Sequence, residues 1–116
     1  LWSPAVGFQQ ITDGLSNTVL FGEGYSTCDR ISKIALYSWF YSAFGLDWYQ
    51  QANTLSMQVN PHPRDCDNWR TQSMHPGGVN VALMDGSVRF VQGTISQRTW
   101  DFALLPRDDQ VLGPDW

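Results

Sequence analysis

The architecture of this chain turns on one stretch, His75-Pro-Gly-Gly-Val-Asn-Val-Ala-Leu-Met-Asp-Gly-Ser-Val-Arg-Phe-Val91. Val79 to Met84 and Ser87 to Val91 are runs rich in β-branched and apolar residues, with Asp85-Gly86 between them. An Asp-Gly pair suits a type I′ turn, which needs positive φ at both central positions, so the segment predicts a β-hairpin over 79–91. With Asp85-Gly86 as a two-residue loop, Leu83 faces Val88, Val81 faces Phe90 and Val79 faces Gln92. One face then carries Val79, Val81, Leu83, Val88 and Phe90, while Asn80, Ser87 and Arg89 mark the other. A three-residue loop would scramble that division, because a one-residue slip turns side chains to the opposite face. The two-residue register is the expectation.

Downstream, Ser96 stands as an N-cap. Ile95 and Trp100 occupy the N′ and N4 positions of a hydrophobic staple, and Pro106 is the stop. This spacing predicts a helix over about 96–105 that lays Trp100, Ala103 and Leu104 on the sheet. A polar tail, Arg107 to Trp116, follows. Upstream, Leu1 to Gln10 reads as an irregular lead-in and Thr12-Asp13-Gly14 as a turn, with Asp13 or Ser16 capping a short helical turn through Asn17. Thr18 to Phe21 reads as a strand ending at Gly22-Glu23-Gly24, and Tyr25 to Ser32 as loop. Ile34 to Tyr41 reads as a strand, although Leu36, Phe40 and Phe44 also fit a helical period. From Gly45 to Trp69 the chain reads mostly as surface loop, stiffest at Asn60-Pro61-His62-Pro63. Sheet plus flanking helix gives an α+β class with an antiparallel sheet, in a single globular domain over 1–116.

Composition narrows the function. The chain is 42% hydrophobic and 16% charged, with a net charge of −4. Nucleic acid is not an expected partner, because its phosphates call for clustered Lys and Arg, and here Lys33 is the sole lysine among scattered arginines. A polybasic membrane patch is absent for the same reason. The most apolar region, Ile34 to Tyr49, is broken by Ser38, Ser42, Gly45 and Asp47 and falls short of the ~20 apolar residues of a membrane span. Cys28 and Cys66 fit no zinc spacing. They could form one disulfide or stay two unrelated thiols, and pairing is favoured if the protein is exported.

His75 and Asp85 invite a metal or catalytic reading that the strand geometry resists. Val79 to Asp85 spans roughly 20 Å at ~3.3 Å per residue. The four steps back to His75 recover at most about 14 Å. A structural reading is therefore preferred: Asp85 supplies the turn, Gly86 its positive φ, Gly77 and Gly78 a tight entry, and His75 bonds a nearby backbone group or carboxylate. Asp13, Asn17 and Glu23 form an oxygen-rich set suited to calcium, as do Asp65, Asp67 and Asn68, and Asp108 with Asp109. None has the spacing of an EF-hand loop, so no metal site is assigned. No Gly-x-Ser-x-Gly elbow surrounds Ser16, Ser73 or Ser87, and no phosphate loop is present. An enzyme is not expected. The aromatic load is the remaining signal: six Trp, four Tyr and six Phe. Trp39, Phe40 and Phe44 read as core. Trp48, Tyr49 and Trp69 lie on the long loop, where they could form a platform for a glycan, a small solute or a partner protein.

The same residues carry a resemblance. "MHPGGVNVALMDGSVRFV" is similar to the C-terminal motif of a large family of prepilin-type proteins, found mostly in planctomycete bacteria, whose pattern is His, nine residues, Asp-Gly. "ITDGLSNTVLFGE", Ile11 to Glu23, resembles the family's Asp-Gly-x-Ser-Asn-Thr block that ends in Gly-Glu, here Asp13, Gly14, Ser16, Asn17 and Glu23. The end, from Thr94 through "SQRTWDFALLPRDDQVLG", is similar in layout, so the resemblance covers roughly half the chain. It implies a pilin-like or pseudopilin-like C-terminal domain, with an N-terminal helix that this stretch lacks and through which alone a membrane would be met. It also implies export to the cell surface, periplasm or exterior, protein partners or self-assembly, and a role in surface or secretion-associated assembly. The family also carries a solute-binding label, which implies the alternative, an extracellular solute- or glycan-binding module. Some pseudopilins hold calcium in their C-terminal loops, so calcium is the one cofactor the resemblance brings up.

Overall fold

Three strands and one helix carry the architecture. The computed structural model describes residues 7–28, 30–32 and 56–116. Within them run β1 (Val19–Gly22), β2 (Thr27–Cys28), β3 (Ile31–Ser32), β4 (Gln58–Val59), β5 (Gln72–Ser73), β6 (Gly78–Leu83), β7 (Val88–Gln92) and helix α1 (Gln97–Leu104). The main sheet has the order β1-β6-β7 and is antiparallel throughout. The class is α+β. The strand expected over Ile34 to Tyr41, the aromatics Trp39, Phe40 and Phe44, and the loop residues Trp48 and Tyr49 lie outside the described residues.

The hairpin forms, but with a three-residue turn, which corrects the expected register. Leu83 N–H donates to Ser87 O at 2.9 Å, and Gly86 N–H donates to Leu83 O at 3.0 Å. Met84-Asp85-Gly86 therefore make the connection, and of these only Gly86 has positive φ, +85°. A type I′ turn would also have forced Asp85 into the left-handed region. Instead the Asp85 carboxylate accepts from Ser87 N–H at 2.9 Å and from its hydroxyl at 2.6 Å. These bonds hold Asp85 in the turn and leave the positive φ to the glycine, which has no Cβ to clash. The pairs become Ala82↔Val88, Asn80↔Phe90 and Val79↔Val91. Val91 is thus buried, while Val88 is 73% and Phe90 47% exposed.

A second irregularity aligns β1. Its register to β6 runs Val19↔Leu83 and then Phe21↔Ala82, with Leu20 as the extra residue of a bulge. A bulge resets the alternation of side chains. Val19 consequently points into the core with Leu83, and Phe21 points out with Ala82.

The core lies on one side of this sheet, where Val19, Val79, Val81, Leu83 and Val91 meet Trp100 and Ala103 of α1. The helix begins at Ser96, whose hydroxyl accepts from Thr99 N–H, and Ile95 and Leu104 pack against the same cluster. The segment after α1 is not a free polar tail. Asp115 accepts from the Thr99 hydroxyl and from Ser96 N–H, bonds that pull its carboxyl down to about 2. Leu112 and Trp116 join the edge of the core.

A smaller cluster is built from Tyr25, Cys28 and Cys66. Cys28 and Cys66 are joined in a disulfide. Beside them the buried side chain of Gln72 accepts from Tyr25 N–H and donates to Gln58 Oε1 and Asp67 O. A polar side chain is stable there because each end finds a partner. Nothing in the sequence marked Gln72; β2, β3 and β4 are short strands inside what reads as loop, and β5 follows just after it.

Candidate functional site

The outward side of the sheet gathers the motif residues that the core does not use. Phe21, Ala82 and Val88 stand side by side across the three strands, and Asn80 and Phe90 form the next pair along. Glu23 lies beside Asn80, its N–H donating to Asn80 O at 3.2 Å. The Glu23 carboxylate then takes three donors: Asn80 N–H at 2.7 Å, Asn80 Nδ2 at 2.8 Å, and His75 Nε2 at 3.1 Å. His75 Nδ1 faces Pro76 O at 3.3 Å. Nδ1 thus faces the Pro76 carbonyl, while Nε2 faces the Glu23 carboxylate with Asn80 Nδ2 3.2 Å away; the imidazolium form donates to both oxygen acceptors. The His75 ring also sits 5.9 Å from that of Phe90.

The electrostatics follow from these bonds. Burial pushes Glu23 upward, but the bonds from Asn80 and His75 outweigh it and leave the carboxyl below its ordinary value of 4.5. The bond to Glu23, followed by that to Pro76 O, raises His75 above 6.5. The Glu23 contribution to stability is present above its unfolded value and is lost as pH falls through the lowered one. The His75 contribution is complete below its unfolded value and fades as pH rises through the raised one. Thermal melts from acid to mildly alkaline pH should therefore show the pair most stabilising between 4.5 and 6.5. His75→Gln should flatten the alkaline limb of the stability curve. Superimposable alkaline limbs would mean the His75–Glu23 bond adds nothing.

The other motif residues hold the frame. Asp13 accepts from Asp108 N–H at 3.0 Å and Asp109 N–H at 2.9 Å, tying the first block to the C-terminal segment. Gly14 takes φ +95°, and its carbonyl receives Asn17 N–H and the Thr18 hydroxyl. This is a turn, not a capped helical turn, and Ser16 stays exposed. Gly77 also has φ +95°, and a Cβ there would touch the Phe90 ring at 3.4 Å. Gly78 lies against the Val91 carbonyl. His75 and Asp85 do not meet: one bonds Glu23, the other Ser87 at the far end of the hairpin. Nor do Asp13 and Glu23 share partners. Asp67 is engaged by Arg70 and by Trp69 N–H. Among the described residues no group of three His, Cys, Asp or Glu side chains converges for a metal, and no helix is long and apolar enough to cross a membrane. Asn80 is the site residue that sequence reasoning passed over. Its signal was an amide inside an otherwise apolar strand, read only as marking the polar face.

The motif blocks therefore meet in space, and a family model described as a protein of unknown function (DUF1559, SBP_bac_10) matches residues 1–98. The chain belongs to the DUF1559 family. The match takes in both blocks, the hairpin and the start of α1, whereas Trp100 and the closing segment lie beyond it. Searches of curated proteins and of solved structures returned no match. Within this DUF1559 member, Glu23 from one block and His75 from the other form a single hydrogen-bonded knot.

Proposed function

We infer that this chain is the non-enzymatic interaction head of an exported, pilin-like assembly protein whose contact surface is the outer face of the sheet. One observation carries the reading: the apolar side chains Phe21, Val88 and Phe90 are exposed on one face of a sheet whose strand β7 has, among the described residues, β6 as its sole partner. The bonds at Leu83/Ser87 and Gly77/Gly93 fix the alternation of the ladder. It turns the N–H and C=O groups of Val88 and Phe90 away from β6. Edge strands that face water usually carry lysine, proline or a covering segment. β7 carries no lysine or proline and, among the described residues, no covering segment, and Arg89 lies on the core side with its guanidinium 4.8 Å from the Trp116 ring. A second copy of the chain is the natural occupant. An antiparallel pairing centred on Phe90 would be self-complementary, with Val88 opposite Gln92 of the other copy, as a two-fold contact requires. The Cys28–Cys66 disulfide supports an oxidising compartment.

Val88→Lys tests the reading. The side chain is 73% exposed, so folding stability should change by no more than about 0.5 kcal/mol. Self-association followed by sedimentation velocity at rising concentration should be lost. A wild-type chain that stays monomeric up to millimolar concentration, or a variant that associates equally well, would remove this edge as the contact.

A further inference from the structure

We propose that the groove between Tyr25–Thr27 and Asn60–Pro63 is a binding site for a neutral saccharide. The groove is open to solvent, has a volume of about 580 Å³ and is lined, among the described residues, by these residues and by Met74. That is the volume range of small-ligand sites. It shares no residue with the sheet face, so it stands apart from the assembly reading and gives the solute-binding alternative a location. The stiff Asn60-Pro61-His62-Pro63 element, which the sheet does not use, forms one wall.

The walls are held in place before any ligand arrives. The Tyr25 hydroxyl donates to Pro61 O at 2.6 Å across the floor, and Asn60 N–H donates to Ser73 O at 3.0 Å. The Cys28–Cys66 disulfide joins the segments that continue from each wall. A preformed site loses little ordering entropy on binding.

The chemistry of the lining selects the ligand. Among the described residues no Asp, Glu, Lys or Arg lines the groove, so a charged ligand would shed water and meet no counter-charge from them. The hydroxyls of Ser26 and Thr27 and the carboxamide of Asn60 make no hydrogen bond within the described protein. Hydroxyl and carboxamide groups both donate and accept, as sugar hydroxyls do. Arg64 N–H donates to His62 Nδ1 at 3.2 Å, which in the neutral ring leaves Nε2–H as a further donor. The pyrrolidine rings and Met74 offer apolar surface for the C–H face of a pyranose. The described lining therefore presents uncharged polar groups that accept and donate alike beside apolar patches.

The test is an amide NMR titration of the full 116-residue chain with glucose, galactose, N-acetylglucosamine and maltose, and with glucuronate as a charged control. At least one neutral sugar should produce saturable shifts at Ser26, Thr27, Asn60 and His62, with glucuronate weaker. Thr27→Val removes a hydroxyl from an exposed strand position. Asn60→Asp keeps a residue type that tolerates the φ of +48° at that site while replacing the carboxamide. Each should weaken binding about tenfold while other amides keep their positions. The proposal fails if no neutral sugar moves the groove amides, if the shifts fall elsewhere, or if both variants bind as wild type does. Saturation by glucuronate alone would also overturn it.

Discussion

Replacing Cys28 and Cys66 with serine is expected to lower the free energy of unfolding by about 4 kcal/mol. The half-cystines are 38 residues apart in the chain. Closing a loop of that length removes roughly 13 cal/mol/K of unfolded-chain entropy, which at room temperature is about 4 kcal/mol. Domains of this size are held by only about 5–15 kcal/mol in total, so most of the margin would disappear. The loss should be large because the bonded sulfurs are themselves core. Cys28 is fully buried, and among the described residues it forms the smaller cluster with Tyr25 and Cys66. Urea denaturation of wild type and of the double serine variant at equal pH measures the difference. A change below about 1 kcal/mol would mean that the short β2–β5 region is held by Gln72 and its partners, not by the cross-link.

Gly78→Ala is expected to cost about 3 kcal/mol, at the upper end for overpacking. A Cβ at this position would lie 2.0 Å from Val91 O, 2.8 Å from Val91 C and 3.0 Å from Gln92 Cα. All three neighbours are backbone, so no side chain can rotate aside and β7 itself must move. That motion would pull Val91 out of the core and Phe90 from its place beside His75. Gly86→Ala provides the control. Its Cβ meets nothing within 4 Å, and only the positive φ is penalised, by about 1–2 kcal/mol. Chemical denaturation of the two variants side by side separates the causes. A Gly78→Ala penalty no larger than that of Gly86→Ala would show that close approach of the strands is not what requires glycine there.

The local elements were legible along the chain. β-rich runs flanking Asp85-Gly86 called for a ribbon. Ser96, Ile95 and Trp100 called for a capped helix, and α1 does begin at Gln97 and bury Trp100 and Ala103. The two motif blocks pointed to a family, and the family model spans both. Each of these signals is read over a few residues, where backbone preference and side-chain spacing act directly.

The facing of the strands was not legible, for a physical reason. Two- and three-residue turns at Met84-Asp85-Gly86 differ little in local cost, yet they send opposite side chains of β7 inward. The choice falls to whichever register fits the finished core, and Val91 against Val79 beneath Trp100 is the one that does. The bulge at Leu20 has the same origin, since it lets Val19 enter the core while Phe21 leaves it. The knot of Glu23, His75 and Asn80 joins residues up to 57 positions apart. Propensity and periodicity carry no information across that distance. The chain's local code specified a hairpin, a helix and an antiparallel class. Which face is bare, and which polar groups meet upon it, was left to long-range packing, because only there do distant segments compete for the same buried space.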